Sequence, residues 1–539
     1  MCKIVTRDHD KHMTLPPTRH VLVCGLAGRV AAFASNEFAA CPLLSSTRGR
    51  SPGMTVNAPA SEEDRTFFGQ PRPLANLFGV ELWERFSFYG MQGILLIYLY
   101  YSATEGGLGI QESTATSIVG AYGGAVYLST ILGAWTADRL LGPERVLFLS
   151  AVLVMCGHIA LALLPGLSGV SVGLILIAIG SGGVKANATS LVGSLYAEHD
   201  ERRDAGFSLF YLGINLGALA GPLLTGLLQK NAGFHVGFGL AAVGMAVGLA
   251  QYAWGRRRLP ASAREVPNPL PSRARPMVAV ACVAALAAFV LLAVVGVLPA
   301  NRLATVVVIV SAAAAVSYFV VILTSRRITT VERRRVFAFI PMFLASAAFW
   351  SLYQQQFTVV TIYSDQRLDR TLFGWEMPVS WVQAINPVFI IVLSGVFAGL
   401  WTRLGDRQPT TPIKFAAGTA IMGIAFVLFL PLAGGGPNST PLPALAGILL
   451  VFTLAELLLS PVGLSLSTKL APRVFHTQMV ALFFLSIALG TALSGTLAGY
   501  YEADRETAYF GILGAVAIVL GLALAVAARP ITRMMSGVR

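Results

Sequence analysis

The sequence predicts an all-α protein that crosses a membrane many times, and three observations support this fold class. The chain has 539 residues, of which 55% are hydrophobic and only 12% are charged, whereas soluble domains carry about 25% charged residues. Its mean hydropathy is +0.69. Apolar runs of about 20 residues, the length that crosses a bilayer as a helix, recur along the chain. This composition excludes ordinary soluble enzymes, disordered chains and disulfide-rich secreted scaffolds.

Residues 1–73 differ from the rest of the chain because they show no regular hydrophobic period. The apolar patch at 21–34 is interrupted by Arg29 and is too short to cross a bilayer. The segment also lacks the order of regions that marks a signal peptide. We expect residues 1–73 to be a disordered extension and cytoplasmic tail. An alternative is that the native chain starts at Met54, so that residues 1–53 do not belong to it.

Fourteen apolar segments follow, each long enough to form a membrane helix. They cover residues 74–101, 113–137, 143–165, 169–192, 204–228, 233–254, 276–298, 303–324, 332–361, 377–403, 411–433, 441–470, 475–499 and 506–528. The seventh and eighth consist almost entirely of Ala, Val, Leu and Ile, so we expect both to face lipid and to take no part in polar chemistry. The other twelve divide into six before this pair and six after it.

This division predicts the organisation of the chain into domains. A six-helix bundle at 74–254 is followed by a linker with two extra membrane helices at 255–331, a second six-helix bundle at 332–528 and a cytoplasmic tail at 529–539.

The basic residues of the connections predict the orientation of these helices. Odd-numbered connections carry five basic residues, whereas even-numbered connections and the C-terminal tail carry 23. Because Lys and Arg accumulate in cytoplasmic loops, both termini are expected in the cytoplasm.

Three charged residues in the first apolar segment form one cluster. Glu81, Glu84 and Arg85 lie at spacings of three and four, which places them on one helical face, and Tyr89 extends the same face. Each buried charge costs about 2.5–3.5 kcal/mol on insertion scales. Because one guanidinium cannot neutralise two carboxylates, we expect one of the two to bind a proton readily. The alternative is a helix-end cluster that reaches the membrane interface.

Two further charged residues interrupt later apolar segments. Lys185 follows a glycine-rich run that allows another helix or a ligand to approach closely, and it needs a carboxylate from the protein or from a substrate. Its alternative role is an ion pair with Glu81 or Glu84. Glu456 lies in the opposite half of the chain, near Pro461, and suits a cationic ligand group. Its alternative is a carboxylate bonded to backbone groups that the proline frees.

Uncharged polar residues accompany these charges, although each one alone is more often a packing residue. Trp350 and Gln354 share a helical face, as do Glu456 and Ser460. Asn386 precedes a proline, and interrupted helices often border the binding site of transporters. The full set is Tyr127, Tyr211, Asn215, Trp350, Gln354, Asn386 and Ser460.

Four segments of the sequence resemble the proton-dependent oligopeptide transporters, a branch of the major facilitator superfamily. Residues 81–90 (ELWERFSFYG) resemble the signature of the family's first helix, and residues 207–217 (FSLFYLGINLG) resemble that of its fifth helix. Residues 133–145 are similar to the superfamily's loop after the second helix, and residues 456–471 to the tenth-helix segment. The resemblance covers residues 74 to about 528, and it implies a major facilitator fold of two six-helix bundles with two inserted helices.

The resemblance also implies a function: uptake of di- and tripeptides together with protons, by alternating access. Glu81, Glu84 and Arg85 match the proton-coupling motif. Arg85 and Lys185 match residues that bind the peptide carboxylate, and Glu456 and Asn386 match residues near its amine. Tyr89, Tyr127, Asn215, Trp350 and Ser460 match the pocket lining. Three residues depart from the family pattern: Phe88 for a tyrosine, Gln354 for an acidic residue and Phe483 for a tryptophan.

Other functions stay open to different degrees. The same fold could carry another small anion, a modified amino acid or a peptide-like drug. An enzyme is not expected, because the metal-binding pattern His-Glu-x-x-His does not occur. We expect no cofactor, no metal and no nucleic acid. The expected partners are small peptides, protons and the lipid bilayer, for a protein that functions as a monomer in the plasma membrane.

Overall fold

The computed structural model describes residues 66–197, 200–278, 280, 284 and 299–537. Within these residues it contains fourteen α-helices in chain order. They are α1 (Arg72–Tyr100), α2 (Glu112–Thr136), α3 (Pro143–Leu163), α4 (Gly166–Gly193), α5 (Arg202–Ala232), α6 (Phe234–Gly255), α7 (Leu303–Thr324), α8 (Thr330–Tyr353), α9 (Val359–Gln366), α10 (Val382–Leu404), α11 (Thr411–Val427), α12 (Leu442–Lys469), α13 (His476–Ala498) and α14 (Glu506–Met534). The all-α prediction is confirmed.

The predicted membrane segments coincide with these helices. Twelve helical stretches of the described chain are long and apolar enough to cross a membrane, with α8 and α9 counted as one. Helix α1, which carries the charged cluster, is not among the twelve, but it spans 29 residues. Most of the predicted segment 276–298 lies outside the described residues, as do residues 1–65 of the predicted extension. Residues 72 and 73 already belong to α1.

Prolines and caps set several helix boundaries and interruptions. Helix α8 begins with a capping box, in which the Thr329 hydroxyl accepts the Glu332 N–H at 3.2 Å and Glu332 Oε2 accepts the Thr329 N–H at 2.8 Å. It ends at Tyr353, and a 3₁₀ turn at Gln354–Phe357 separates it from α9. The predicted continuous segment 332–361 is therefore broken, and the break lies at the polar residues. Helices α5, α10 and α12 contain Pro222, Pro387 and Pro461.

Four two-residue strands connect loops at one end of the bundles. Strands β1 (Leu368–Asp369) and β4 (Thr440–Pro441) pair in parallel, whereas β2 (Thr371–Leu372) and β3 (Trp375–Glu376) pair antiparallel. We call this end of the molecule the distal face, because α1 ends there. The opposite end, where α1 begins and α14 ends, is called the terminal face.

The helices pack as two groups that meet along two seams. Helices α1–α6 contact one another, and so do α8–α14. In the first seam α2 meets α13, and Gly120 and Gly495 allow the two backbones to approach closely. In the second seam α5 meets α10. There the Ser380 hydroxyl donates to Pro222 O at 3.0 Å, and the indole N–H of Trp381 donates to Leu223 O at 3.0 Å.

Helix α7, which connects the two groups in sequence, lies against the first seam. It packs on both α2 and α13 and buries Ala304, Ser311, Ala315 and Ile322. The N–H of Ala304 donates to the Ser117 hydroxyl of α2 at 3.2 Å. The expectation that this helix only faces lipid is therefore wrong along one side, because the uniformly apolar sequence does not reveal that its small residues fit a groove between bundles.

Candidate functional site

A central cavity of about 200 Å³ lies between the two helix groups. Both groups supply its walls, since α1, α2 and α5 face α8, α10 and α12 across it. Most of the residues predicted to bind substrate line this cavity. They are Tyr89, Tyr127, Asn215, Trp350, Gln354, Asn386, Glu456 and Ser460. Arg85 and Lys185, the two predicted cationic residues, lie outside this lining.

The charged cluster of α1 is buried and internally paired. Arg85 Nε donates to Glu81 Oε1 at 2.8 Å, and Arg85 Nη1 lies 3.3 Å from Glu84 Oε2. Glu84 Oε1 accepts a hydrogen bond of 2.6 Å from Ser181 of α4. None of the three charged residues is more than 5% exposed, so the cluster does not reach the membrane interface. Arg85 lies one helical turn from Tyr89, which lines the cavity.

Lys185 lies between two aromatic rings near this cluster. Its Nζ is 4.8 Å from the ring centroid of Phe88 and 4.6 Å from that of Tyr127, distances at which a cation is attracted to the ring. Among the described acidic residues none lies within ion-pair distance of Lys185. The alternative of a direct ion pair with Glu81 or Glu84 is therefore not what the structure has, because the rings hold the ammonium instead.

The carboxylate of Glu456 is held by residues of α8 and α10. Tyr353 donates to Glu456 Oε2 at 2.7 Å, and its hydroxyl is 3.2 Å from Asn386 Oδ1. The amide nitrogen of Asn386 donates to Thr453 of α12 at 3.1 Å. Among the described contacts Glu456 is bonded to side chains of the cavity wall, and none is to a backbone group near Pro461, as one alternative held.

A second cavity of about 620 Å³, which we call the vestibule, leads toward the terminal face. Lys185 lines it together with Asp138, in the connection after α2, and Arg203, at the start of α5, both on that face. Helix α7 contributes Tyr318 to its wall. The remaining lining comes from α2, α4, α5, α12 and α13, with Thr130, Trp135, Phe207, Thr468, Gln478 and Phe484 among its residues. Lys185 therefore lies where the vestibule approaches the rings of the central cavity.

The distal face is closed by a set of polar contacts between the two helix groups. At the end of α1, the hydroxyl of Tyr100 donates to Asp365 Oδ2 at 2.6 Å, and that of Tyr101 donates to Asp365 Oδ1 at 2.7 Å. Arg370 approaches the carboxylates of Asp365 at 3.6 Å and Glu376 at 2.8 Å. Lys230 of α5 pairs with Glu376 at 3.2 Å. We call these six residues the distal latch.

Several lining residues escaped the sequence prediction, although some left a signal. Gln92 lies three residues after Tyr89, so it continues the polar face of α1. Gln383 lies three residues before Asn386, and Tyr353 three residues after Trp350. The distal latch left no such signal, because its partners lie far apart in sequence, at helix ends and in loops. Within the described residues no group of His, Cys, Asp and Glu is arranged to hold a metal ion.

A central cavity between two bundles of membrane-spanning helices, with polar contacts closing one face and a vestibule on the side of the other, is typical of a membrane transporter. A family model described as "POT family" matches residues 144–514. The chain belongs to this family of transporters. The family resemblance predicted from the sequence is thereby confirmed.

Similar proteins of known sequence cover nearly the whole chain. The chain is 41% identical over 482 residues to the "Uncharacterized transporter YclF" of Bacillus subtilis (strain 168), which covers 89% of this chain and 98% of that protein. It is also 41% identical over 494 residues to the "Di-/tripeptide transporter" of Lactococcus lactis subsp. lactis (strain IL1403), covering 89% of this chain and 99% of that protein.

Solved structures support the same assignment. A crystal structure of "peptide transporter POT in complex with sulfate" has a TM-score of 0.84 and 44% identity, and covers 88% of this chain and 98% of that chain. A second, of "a POT family transporter in complex with 5-aminolevulinic acid", has a TM-score of 0.82 and 37% identity, with 87% and 98% covered. The predicted fold class, a major facilitator fold with two six-helix bundles, is confirmed.

Proposed function

We propose that this protein is a symporter that imports di- and tripeptides with protons by alternating access. One observation carries the proposal: a single enclosed cavity has a carboxylate, Glu456, in its second-bundle wall and the cations Arg85 and Lys185 beside its first-bundle wall. A zwitterionic peptide has complementary charges at its two ends. Membership in the POT family and the names of two relatives, a di-/tripeptide transporter and a peptide transporter, support this substrate class.

Proton coupling follows from the sharing of one guanidinium by two carboxylates. Arg85 is paired with Glu81 and with Glu84, and Glu81 Oε2 has no hydrogen-bond partner among the described residues. A proton that binds Glu81 or Glu84 removes one of the charges that hold Arg85. The guanidinium can then turn toward the carboxylate of a peptide near Tyr89. Each proton that moves down 100 mV supplies about 2.3 kcal/mol, which exceeds the cost of a tenfold gradient of a neutral solute.

The two faces of the molecule correspond to one state of the transport cycle. The distal latch closes one side, whereas the vestibule opens toward the other. We infer from the distribution of basic residues that the terminal face, with both termini, is cytoplasmic. The described state then faces inward, as it would when a peptide leaves the site. The cell membrane as location, a functional monomer and the lack of an enzymatic activity or a cofactor are parts of the same proposal.

Proton-driven uptake of dialanine into proteoliposomes tests this function. We expect uptake to require an inward proton gradient and to fall by at least tenfold in Arg85→Ala. The variant loses the ion pairs with Glu81 and Glu84 that respond to the proton, and it loses the cation that binds the carboxylate of the peptide. Arg505→Ala is a matched control, since Arg505 is exposed on the distal face and pairs only with Glu502 among the contacts described for it. Uptake by Arg85→Ala at the wild-type rate would contradict the proposal.

A second candidate is a transporter of the same fold for another small anion, a modified amino acid or a peptide-like drug. The structural relative with bound 5-aminolevulinic acid, a small amino acid derivative, favours keeping this candidate. Competition against labelled dialanine separates the two functions. Dipeptides compete at lower concentrations than such compounds if peptides are the main cargo.

A further inference from the structure

The distal end of the central cavity carries a group of amide side chains that the proposed function does not use. Gln92 of α1, Gln356 of the turn before α9 and Gln383 before Asn386 on α10 line this end. Each of the three is at most 6% exposed. We call them the glutamine end. Among the described residues that line the cavity, Glu456 is the charged one, and it lies outside the glutamine end. The glutamine end is therefore uncharged.

Hydrogen bonds fix the orientation of the Gln383 amide. Gln383 Nε2 is 3.2 Å from the hydroxyl oxygen of Thr361, and that hydroxyl donates to Gln356 O at 2.8 Å. Because a hydroxyl has a single proton, Thr361 must accept a hydrogen bond from Gln383. The NH₂ group of Gln383 therefore faces Thr361. Its carbonyl oxygen, Oε1, is buried and has no donor among the described residues.

Gln92 offers a second buried carbonyl oxygen at the same end of the cavity. Its Oε1 also lacks a donor within the described part of the chain. The two glutamines come from helices that approach closely here, since a Cβ added at Gly93, next to Gln92, would lie 3.5 Å from Gln383 Oε1. The amide nitrogen of Gln92 has no described acceptor either. Two acceptors and one donor thus lie in an uncharged part of a binding cavity.

We propose that Gln92 and Gln383 form a subsite for a carboxamide side chain, that of a Gln or Asn residue in the transported peptide. A carboxamide NH₂ group carries two protons for the two free carbonyl oxygens, and its own oxygen can accept from the NH₂ group of Gln92. This inference rests on the proposed function, because the peptide's charged ends have to be held by Glu456 and the cations. A site with buried acceptors discriminates against an analogue that lacks the donors, since the acceptors are then left unpaired.

Competition between two peptides of nearly equal shape tests the subsite. Uptake of labelled dialanine by the full-length protein in proteoliposomes is inhibited with Ala-Gln or with Ala-Met, whose side chains differ mainly in hydrogen bonding. Gln-Ala and Met-Ala are measured in the same way, so that both peptide positions are covered. For at least one position we expect the glutamine peptide to inhibit at an about fivefold lower concentration, the effect of roughly one net hydrogen bond.

The variant Gln92→Met should bring the ratio of the two inhibitory concentrations close to one. Gln251→Met is a matched control and should keep the wild-type ratio, since Gln251 lies on α6, does not line the cavity and bonds to Ala75 O at 3.3 Å. The readout is a ratio within each variant, so a change in the dialanine rate does not affect it. If Gln92→Met does not fold, Gln383→Met serves as the second variant.

Two results would overturn the subsite while leaving the proposed function intact. One is equal inhibition by the glutamine and methionine peptides at both positions in the wild type, which would mean that water satisfies the glutamine end. The other is an unchanged preference in Gln92→Met and Gln383→Met. A lack of any dialanine uptake would instead contradict the proposed function itself. In that case, binding of the four peptides to the purified protein would give the ratio of affinities for the glutamine and methionine peptides.

Discussion

Tyr353 links Glu456 and Asn386, two polar residues of the second-bundle wall. Its hydroxyl lies 2.7 Å from Glu456 Oε2 and 3.2 Å from Asn386 Oδ1. A phenol has one proton, and the shorter distance assigns that proton to Glu456. An ammonium group that binds Glu456 therefore competes with this hydroxyl or shares the carboxylate with it. Tyr353 provides a buried carboxylate with a donor whenever no ligand does so.

Tyr353→Phe should make the protein more dependent on ligand for its stability. The variant removes a hydrogen bond to a buried carboxylate, which costs about 1–3 kcal/mol, while a peptide ammonium can replace the lost donor. We expect a lower melting temperature without peptide and a larger increase on addition of dialanine than in the wild type. Thermal unfolding of the purified protein measures both.

Tyr509→Phe is the control for this measurement, because Tyr509 donates a buried hydrogen bond of 2.8 Å to Gln355 and does not line the central cavity. It should lose stability without gaining sensitivity to dialanine. An equal increase in melting temperature on addition of dialanine in wild type and Tyr353→Phe would show that the hydroxyl and the ligand do not compete for Glu456.

At the scale of helices, the seam between α2 and α13 depends on glycine. A Cβ added at Gly120 would lie 2.5 Å from the Cα of Gly495, and one added at Gly123 would lie 2.6 Å from Thr491. At Gly120 the facing atoms are backbone, so no side chain fits there without displacing them, whereas at Gly123 the side chain of Thr491 would have to move. The two bundles can therefore touch near the distal face only while these positions stay without side chains.

Gly120→Ala should weaken this contact between the bundles. Forcing one methyl group into a packed interface costs about 1–3 kcal/mol, so we expect a lower melting temperature and slower peptide uptake. Gly447→Ala is the matched control, because Gly447 also lies in a membrane helix, α12, but has open space where its Cβ would be. If both variants behave alike, close packing at the α2–α13 seam is not important for stability.

Much of the element plan could be predicted from the sequence, and the reasons for the exceptions are physical. Hydropathy gave the membrane helices, and helical spacing placed Glu81, Glu84 and Arg85 on one buried face. Spacing within a helix does not reveal which side chain of another helix meets that face. The bond from Ser181 to Glu84 and that from Tyr353 to Glu456 were therefore not predictable. The break of α8 at Gln354 has no proline or glycine to mark it.

At the scale of the whole molecule, polar contacts hold the distal side shut. Asp365 accepts two tyrosine hydroxyls from the first bundle and lies near Arg370, and it is the point at which these latch contacts converge. Removing its carboxylate leaves both hydroxyls without this acceptor. The balance between the two states of an alternating-access transporter shifts by as much as such contacts differ between them.

Asp365→Ala should shift the protein toward a state that is open at the distal face. A loss of about 1.4 kcal/mol changes such an equilibrium tenfold. The measurement is alkylation of Ala218→Cys, a cavity position, by a membrane-impermeant reagent added from the distal side, with the five native cysteines replaced. We expect a severalfold faster reaction in Asp365→Ala.

Glu502→Ala provides the control for this labelling, since it breaks only an exposed pair with Arg505 on the same face, at 3.4 Å. Its labelling rate should equal that of the parent. Equal rates in Asp365→Ala and the parent would mean that the latch does not determine which side is open.

Helix α7 has a mechanical role that follows from its place in the first seam. Because only the five residues 325–329 join it to α8, we expect it to move with the second bundle. Its other side touches α2, where Val307 lies against Gly124, and the described hydrogen bond between them runs from the Ala304 N–H to the Ser117 hydroxyl. When the two bundles move relative to each other, we expect this side of α7 to slide along α2. The uniform apolar sequence of α7 suits that sliding, because it offers α2 few polar groups that would have to break and re-form with each turnover.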